Sequence, residues 1–220
     1  MLKKSLSFTL AEVLLVLAIV GTVAALTIPN LANQYQDDQT VVKLKQAKND
    51  IDLAMQQALL KYGEYAYWFS GTWSSDNKKD AIERILEFLD VTQSNVAFPY
   101  ATYNNDSNYS KYELKDGSIL AVKFGANGIC SGAGCNVMQF IIATNGQNST
   151  ILGKNIFGFT VNPTAGTVVP YGASSDVGTN NALNVSNKIN GTNWAIHMDN
   201  LDYMKCSLNW QNKFTCDGSS

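Results

Sequence analysis

Charge and histidine are scarce in this sequence. Only 15% of the residues are charged, against the quarter or so that is usual, and there is one histidine, His197. The 16 Lys and Arg residues do not outnumber the 18 Asp and Glu residues, so the totals provide no basic field for nucleic acid, and we do not expect it as a partner. A lone histidine without a nucleophile motif predicts neither a catalytic triad nor a metal cluster. We therefore expect no enzyme activity, no cofactor and no metal site.

Cysteine is also sparse, and the four cysteines form two closely spaced pairs. The pairs are Cys130 with Cys135 and Cys206 with Cys216. In an exported protein they predict two small disulfide loops. Three connectivities are possible, of which the local pairing needs the least chain rearrangement. The alternatives are four free thiols in a cytosolic protein and a zinc site built from all four, although neither pair has the two-residue spacing of a zinc knuckle.

One long apolar run near the N-terminus dominates the sequence. Phe8–Ile28 contains no Lys, Arg or Asp and a single acid, Glu12. A helix of this length covers roughly 30 Å at about 1.5 Å per residue, which is the thickness of the hydrocarbon core of a bilayer. Lys3 and Lys4 precede the run, and the positive-inside rule therefore keeps this end cytoplasmic and places the body of the chain outside. An acid inside a membrane span is costly and usually has a function and a partner.

Three interpretations of residues 1–28 compete. A secretory signal would be cleaved after the apolar run, where Val23-Ala24-Ala25 offers small residues, and a plain anchor would be kept whole. In the third interpretation the chain is cut between Ser7 and Phe8, so that residues 1–7 are a leader and the apolar run stays as a working helix. Only the third interpretation gives Glu12 a role.

The segment Lys4–Gly21, KSLSFTLAEVLLVLAIVG, resembles the N-terminal signature of type IV pilins and type II secretion pseudopilins. In that family a prepilin peptidase cuts on the cytoplasmic side before a Phe or Met, and the new N-terminal residue is methylated. The resemblance therefore implies cleavage between Ser7 and Phe8 and N-methylation of Phe8. The family usually has Gly before the cut, where this chain has Ser7.

The same resemblance assigns roles to three further residues. Glu12 stands four residues after Phe8, at the position of the family's hallmark Glu, and would neutralise the α-amino group of a neighbouring subunit's Phe8 in the filament core. Gly21 and Pro29 match the helix-weakening residues of the family. The implied partners are other pilin or pseudopilin subunits, the prepilin peptidase and the inner-membrane assembly machinery. The implied location is the bacterial inner membrane, as a single-pass protein with an extracytoplasmic head.

After Pro29 the pattern changes from wholly apolar to amphipathic. Apolar residues recur mainly at steps of three and four, which predicts one long helix from Phe8 to about Tyr62 with Gly63 as its stop. Pro29 should kink or locally melt this helix. A coiled-coil stalk is the alternative, but no apolar heptad is sustained over three or four repeats. We expect residues 8–28 to serve the membrane or filament core and residues 29–220 to form a globular domain.

Strand signals follow a second, shorter helix predicted over Asp76–Asp90. From residue 109 to 161 apolar residues tend to recur at every second position, which is the pattern of β-strands. We expect three or four antiparallel strands that pack across the amphipathic half of the long helix. Residues 163–192, rich in Gly, Ser, Thr and Asn, predict a surface loop or insert. The expected fold class is α+β, which is also what the pilin resemblance implies.

Rival functions stay open at this stage. A membrane-anchored extracytoplasmic binding module or adhesin would carry the same anchor, with Glu12 protonated in a solitary span. A minor pilin acting in DNA uptake is a variant of the pilin hypothesis, and would need a basic strip on the head. An exported enzyme is the remaining alternative, without a site in the sequence to support it.

Overall fold

A computed structural model describes residues 9–68, 75–124, 138–162, 165–172 and 185–204. The chain divides into two units, Met1–Gln39 and Thr40–Ser220, and we call the second unit the head. One helix, α1 (Leu10–Tyr62), contributes residues to both units. The other elements all belong to the head. In chain order they are α2 (Ser75–Leu86), β1 (Val91–Ser94), α3 (Ala101–Asn104), β2 (Tyr109–Leu114), β3 (Ile119–Phe124), β4 (Met138–Ala143), β5 (Ile156–Val161), β6 (Val168–Pro170) and α4 (Thr192–Met198), with 3-10 helices at Tyr65–Trp68, Gly146–Asn148, Val185–Gly191 and Asp202–Met204.

The C-terminal end of α1 lies where the sequence predicts it. Gly63 has a φ of +82° and donates its N–H to the Leu59 carbonyl at 2.9 Å. This left-handed residue after the last helical turn is a common helix stop, because glycine has no Cβ to oppose it. The predicted end of the helix at Tyr62 is confirmed.

The sheet has six strands rather than the three or four predicted. All neighbours are antiparallel and follow the chain order from β1 to β6. The sheet therefore runs from residue 91 to 170 instead of 109 to 161. The missed strands are the two edges, which are also the shortest strands. The prediction of a loop over residues 163–192 was wrong in part, since this region holds β6 and a 3-10 helix whose Ile189 is buried.

The central strands are buried on both faces of the sheet. Leu120, Phe140 and Phe157 point to one face and share a cluster with the buried side of α1 and with α2. The opposite face belongs to a second cluster, in which Phe98 from a loop and Ile189 from the Val185–Gly191 3-10 helix cover the sheet. Burial on both faces explains why β4 reads as a nearly unbroken apolar run. The structure confirms the α+β class, with a long N-terminal helix on an antiparallel sheet.

The predicted hairpin between β2 and β3 is present, but its turn differs. The sequence predicts Asp116-Gly117 as a two-residue turn. Instead, Gly117 donates its N–H to the Leu114 carbonyl at 2.9 Å, which places Asp116 in the middle of a wider turn. The Asp116 carboxylate accepts the Ser118 N–H at 2.9 Å and the Ser118 hydroxyl at 2.7 Å. This local side-chain bonding favours the wider turn and fixes the Asp116 carboxylate.

Candidate functional site at the start of the long helix

The first turn of α1 is closed by a reciprocal cap between Thr9 and Glu12. Thr9 donates its backbone N–H and its hydroxyl to Oε2 of Glu12, at 2.8 and 2.9 Å. In return, the Glu12 N–H donates to the Thr9 hydroxyl oxygen at 3.3 Å. This is a capping box, in which a Thr before the helix and a Glu at its third residue satisfy each other's backbone donors. The cap fixes where α1 begins and where the Glu12 carboxylate lies.

The part of α1 that follows the cap is apolar and is not covered by any other residue that the structure describes. Within the described residues, α1 is the one helix long and apolar enough to cross a membrane. Its most apolar window of 18 residues has a mean hydropathy of 2.4 and no buried residue. The predicted membrane-spanning segment is therefore supported by length and composition.

Gly21 and Pro29 both lie inside this helix. Pro29 has no N–H, so the carbonyl four residues before it loses its usual helical donor. Two hydroxyls in this stretch are satisfied within the helix, since Thr22 donates to the Ile19 carbonyl at 2.8 Å and Thr27 to the Val23 carbonyl at 3.0 Å. The helix continues through both residues without a break. Weakening of the helix at Gly21 and Pro29 stays a prediction.

Several predicted site residues lie outside the described residues. They are Ser7 and Phe8 at the predicted cleavage site and the four cysteines of the predicted disulfides, Cys130, Cys135, Cys206 and Cys216. Cleavage, methylation and disulfide pairing therefore stay predictions.

The described part of the head offers no metal-ligand cluster. Among these residues, no group of three or more His, Cys, Asp or Glu side chains is arranged to hold a metal ion. His197 lies in the last turn of α4. The absence of enzyme activity stays a prediction.

An acidic cleft of about 450 Å³ lies between α1, the residues that follow α2 and the β2–β3 turn. Asp50, Asp90 and Asp116 line it, together with Lys115 and apolar side chains that include Leu53. Burial raises the pKa of Asp50, and the carboxylates of Asp116 and Asp90 raise it further. The cleft therefore favours a positive charge near Asp50.

An ion pair between a buried lysine and a partly exposed aspartate joins β3 to the loop before β2. The Lys123 ammonium, whose side chain is 11% exposed, donates to Oδ2 of Asp106 at 2.9 Å and lies 5.0 Å from the centre of the Tyr109 ring. The bond from Lys123, followed by the Asn108 backbone N–H, lowers the pKa of Asp106 to about 2. The pair stabilises the face of the sheet that carries Tyr109, which is the face opposite to α1.

We expect this pair to make the stability of the head depend on pH. Because the pKa of Asp106 is lower in the folded than in the unfolded state, its contribution is full above about pH 4 and is lost as the pH falls toward 2. We expect Asp106→Asn to lower the free energy of unfolding at pH 7 by about 1 kcal/mol after solvent screening. Urea unfolding of both chains from pH 6 to 2 measures this, and a constant difference across that range would contradict the assignment.

Comparison of the chain with protein-family models, with curated proteins and with solved structures gave no match. The functional argument therefore depends on the residues of this chain, above all on Thr9, Glu12 and the uncovered apolar part of α1. Sequence reasoning singled out Glu12 but missed Thr9. The Thr-x-x-Glu spacing of the capping box was the signal that could have found it.

Proposed function

We propose that the chain is a structural subunit, a pilin or pseudopilin, of a type IV pilus or a type II secretion pseudopilus. The observation that carries the proposal is an uncovered apolar helix segment with its one acid held at the first turn. Such a helix can be stored in a membrane and then packed against identical helices. The head follows on the same helix and would lie on the extracytoplasmic side of the bacterial inner membrane.

In this proposal the chain enters the membrane as a precursor and is processed before assembly. The prepilin peptidase removes residues 1–7, Phe8 is methylated, and the inner-membrane machinery packs the subunit into the filament. Glu12 then pairs with the α-amino group of a neighbour's Phe8. In a low-dielectric core such a pair selects one alignment of the subunits, because an unpaired carboxylate there is costly.

The capping box is compatible with this pairing. Both bonds from Thr9 end on Oε2 of Glu12. An ionised carboxylate has about four acceptor positions on its two oxygens, so it can take a further donor while it caps its own helix. The cap would hold the carboxylate in a defined place before a neighbour arrives.

The proposal is tested by the N-terminus of the mature chain. When the full chain is co-expressed with a prepilin peptidase, we expect intact-mass analysis and N-terminal sequencing to find a chain that starts at Phe8 and carries a methyl group. Ser7→Gly, which restores the residue usual in the family, should be cut at least as well and serves as the matched control.

Two results would contradict the proposal. A mature chain that starts near Leu26 would indicate an ordinary secretory signal. A chain that keeps Met1 while Ser7→Gly is also uncut would indicate a permanent anchor, and would favour the membrane-anchored binding module or adhesin.

A further inference from the structure

The face of α1 that points away from the sheet carries an uncharged stripe. Six exposed residues form this stripe, which we call the outer stripe: Val42, Gln46, Asn49, Leu53, Gln56 and Leu60. Its three aliphatic side chains are unusually open, at 65% for Val42, 54% for Leu53 and 88% for Leu60. The residues on the opposite side of the same helix, Leu44, Ile51 and Ala58, are completely buried against the head. Within the described residues the outer stripe is therefore exposed, although Gln46 and Leu53 also border the acidic cleft.

The outer stripe has the spacing of a helix-pairing surface. Its members follow one another at steps of four and three, as the a and d positions of a coiled coil do. In this frame Lys43 and Asp50 occupy the e positions on one flank, and Lys45 occupies a g position on the other. Residues at e and g contact the flanks of the partner helix and decide its orientation.

The charged residues on the flanks make different Lys–Asp contacts in the two orientations. In a parallel pair in register, a g residue faces the e residue five positions further along the partner helix, so Lys45 meets Asp50 of the second copy. In an antiparallel pair, e faces e, so Lys43 would meet Asp50 instead. In the proposed function both copies keep their N-terminal ends in the same membrane, and a parallel pair in register is the arrangement that places Val42 of one copy beside Val42 of the other. Anchoring therefore favours the Lys45–Asp50 arrangement.

Asp50 is suited to receive a cation from a partner. It lies in the acidic cleft beside Asp90 and Asp116, and within the described part of the head no lysine or arginine forms an ion pair with it. Lys45 forms an ion pair with Asp199 of its own chain, whose side chain is largely exposed. One ammonium has three donors and can bond both carboxylates.

We propose that two copies of this chain pair side by side and parallel in the membrane through their outer stripes, with Lys45 of each copy against Asp50 of the other. The pairing rests on the membrane anchoring of the proposed function, but not on filament formation. The three polar residues of the outer stripe make it a weak interface in solution. Confinement of both copies to one membrane raises their effective concentration and offsets this weakness.

Cross-linking of the full chain tests the orientation. Chains grown with ¹⁴N and with ¹⁵N are mixed in phosphatidylcholine vesicles, and a carbodiimide joins amines to carboxylates that lie in contact. We expect peptides in which Lys45 of one isotope is joined to Asp50 of the other. Mixed peptides that join Lys43 to Asp50, or none between these segments, would overturn the proposal.

Variants of the outer stripe test the surface itself. We expect Leu53→Lys combined with Leu60→Lys to weaken pairing by about tenfold or more, measured by energy transfer between labelled chains at increasing protein-to-lipid ratios. Both side chains are exposed, so the head should keep its circular dichroism and its unfolding midpoint. Tyr67→Lys with Ile151→Lys is the matched control, since these apolar residues are also exposed but lie off the outer stripe.

The outcomes separate this inference from the proposed function. Equal pairing of the outer-stripe variant and the control variant would overturn the inference while leaving Phe8 processing and filament assembly unaffected. A chain that does not insert into vesicles at all would contradict both, because nothing would then impose the parallel orientation.

Discussion

Glu12→Gln is expected to reduce filament assembly by about tenfold or more while the cap of α1 stays intact. Glutamine at this position can still accept from Thr9, because a capping box forms with Gln as well as with Glu. It cannot neutralise the amine of a neighbouring Phe8. The substitution therefore separates the local role of Glu12 in its own helix from its charge in the proposed filament.

Two further variants complete this experiment. Glu12→Ala removes both the cap and the charge, whereas Thr9→Ser keeps a hydroxyl that can cap the helix and leaves the charge in place. We expect the assembled fraction, measured by sedimentation of sheared filaments, to be low for both Glu12 variants and normal for Thr9→Ser. Membrane insertion should be unchanged in all three. Normal assembly of Glu12→Gln would show that Glu12 acts only as a cap, and would refute the pairing with Phe8.

Ile51→Ala is expected to lower the free energy of unfolding of the head by about 3 kcal/mol, while Leu53→Ala lowers it by less than about 0.5 kcal/mol. The two residues are close neighbours on α1 but lie on opposite sides of it. Ile51 is completely buried in the cluster between α1 and the sheet, whereas Leu53 is 54% exposed. Truncation of Ile51 leaves a cavity, and truncation of Leu53 does not.

Denaturant unfolding of both variants measures this difference. The chains are diluted in excess detergent, so that pairing through the outer stripe does not add to the stability of the wild-type protein. Similar losses for the two variants would contradict the assignment of the buried and exposed sides of α1. The same result would remove the basis for the outer stripe.

The inner part of the fold could be predicted from the sequence, whereas its edges could not. Strands β2 to β5 each have six residues and carry alternating or continuous apolar residues, which is the pattern of strands in a core. By contrast, β1 has the sequence VTQS and is mostly exposed, and β6 is the tripeptide VVP. Segments this short are too short to show the alternation of apolar and polar residues that predicts a strand. They become strands because β2 and β5 offer them hydrogen-bonding edges.

The candidate site also has parts that could be predicted from the sequence and parts that could not. Glu12 was recognisable because an acid inside a long apolar run is unusual and needs a physical reason. Its bonds to Thr9 depend on local helix geometry, and the Thr-x-x-Glu spacing predicts them only when the helix start is placed at Leu10. The outer stripe could not be predicted, because its residues become a separate surface only when the sheet has been placed on the opposite side of α1.

The head joins parts of the chain that are far apart in the sequence. Trp194, Leu201 and Tyr203 belong to the same cluster as Leu44 and Ile51 of α1, and the Lys45–Asp199 pair spans 154 positions. Contacts between such distant segments make folding slow, because the closure of a long loop costs entropy before the contacts compensate for it. In the proposed topology the N-terminal end stays in the cytoplasm and the residues next to the span cross first. The β2–β3 hairpin can then form early, but the core is complete only after residue 203 has crossed the membrane. The head should therefore stay extended enough for translocation until export is nearly finished.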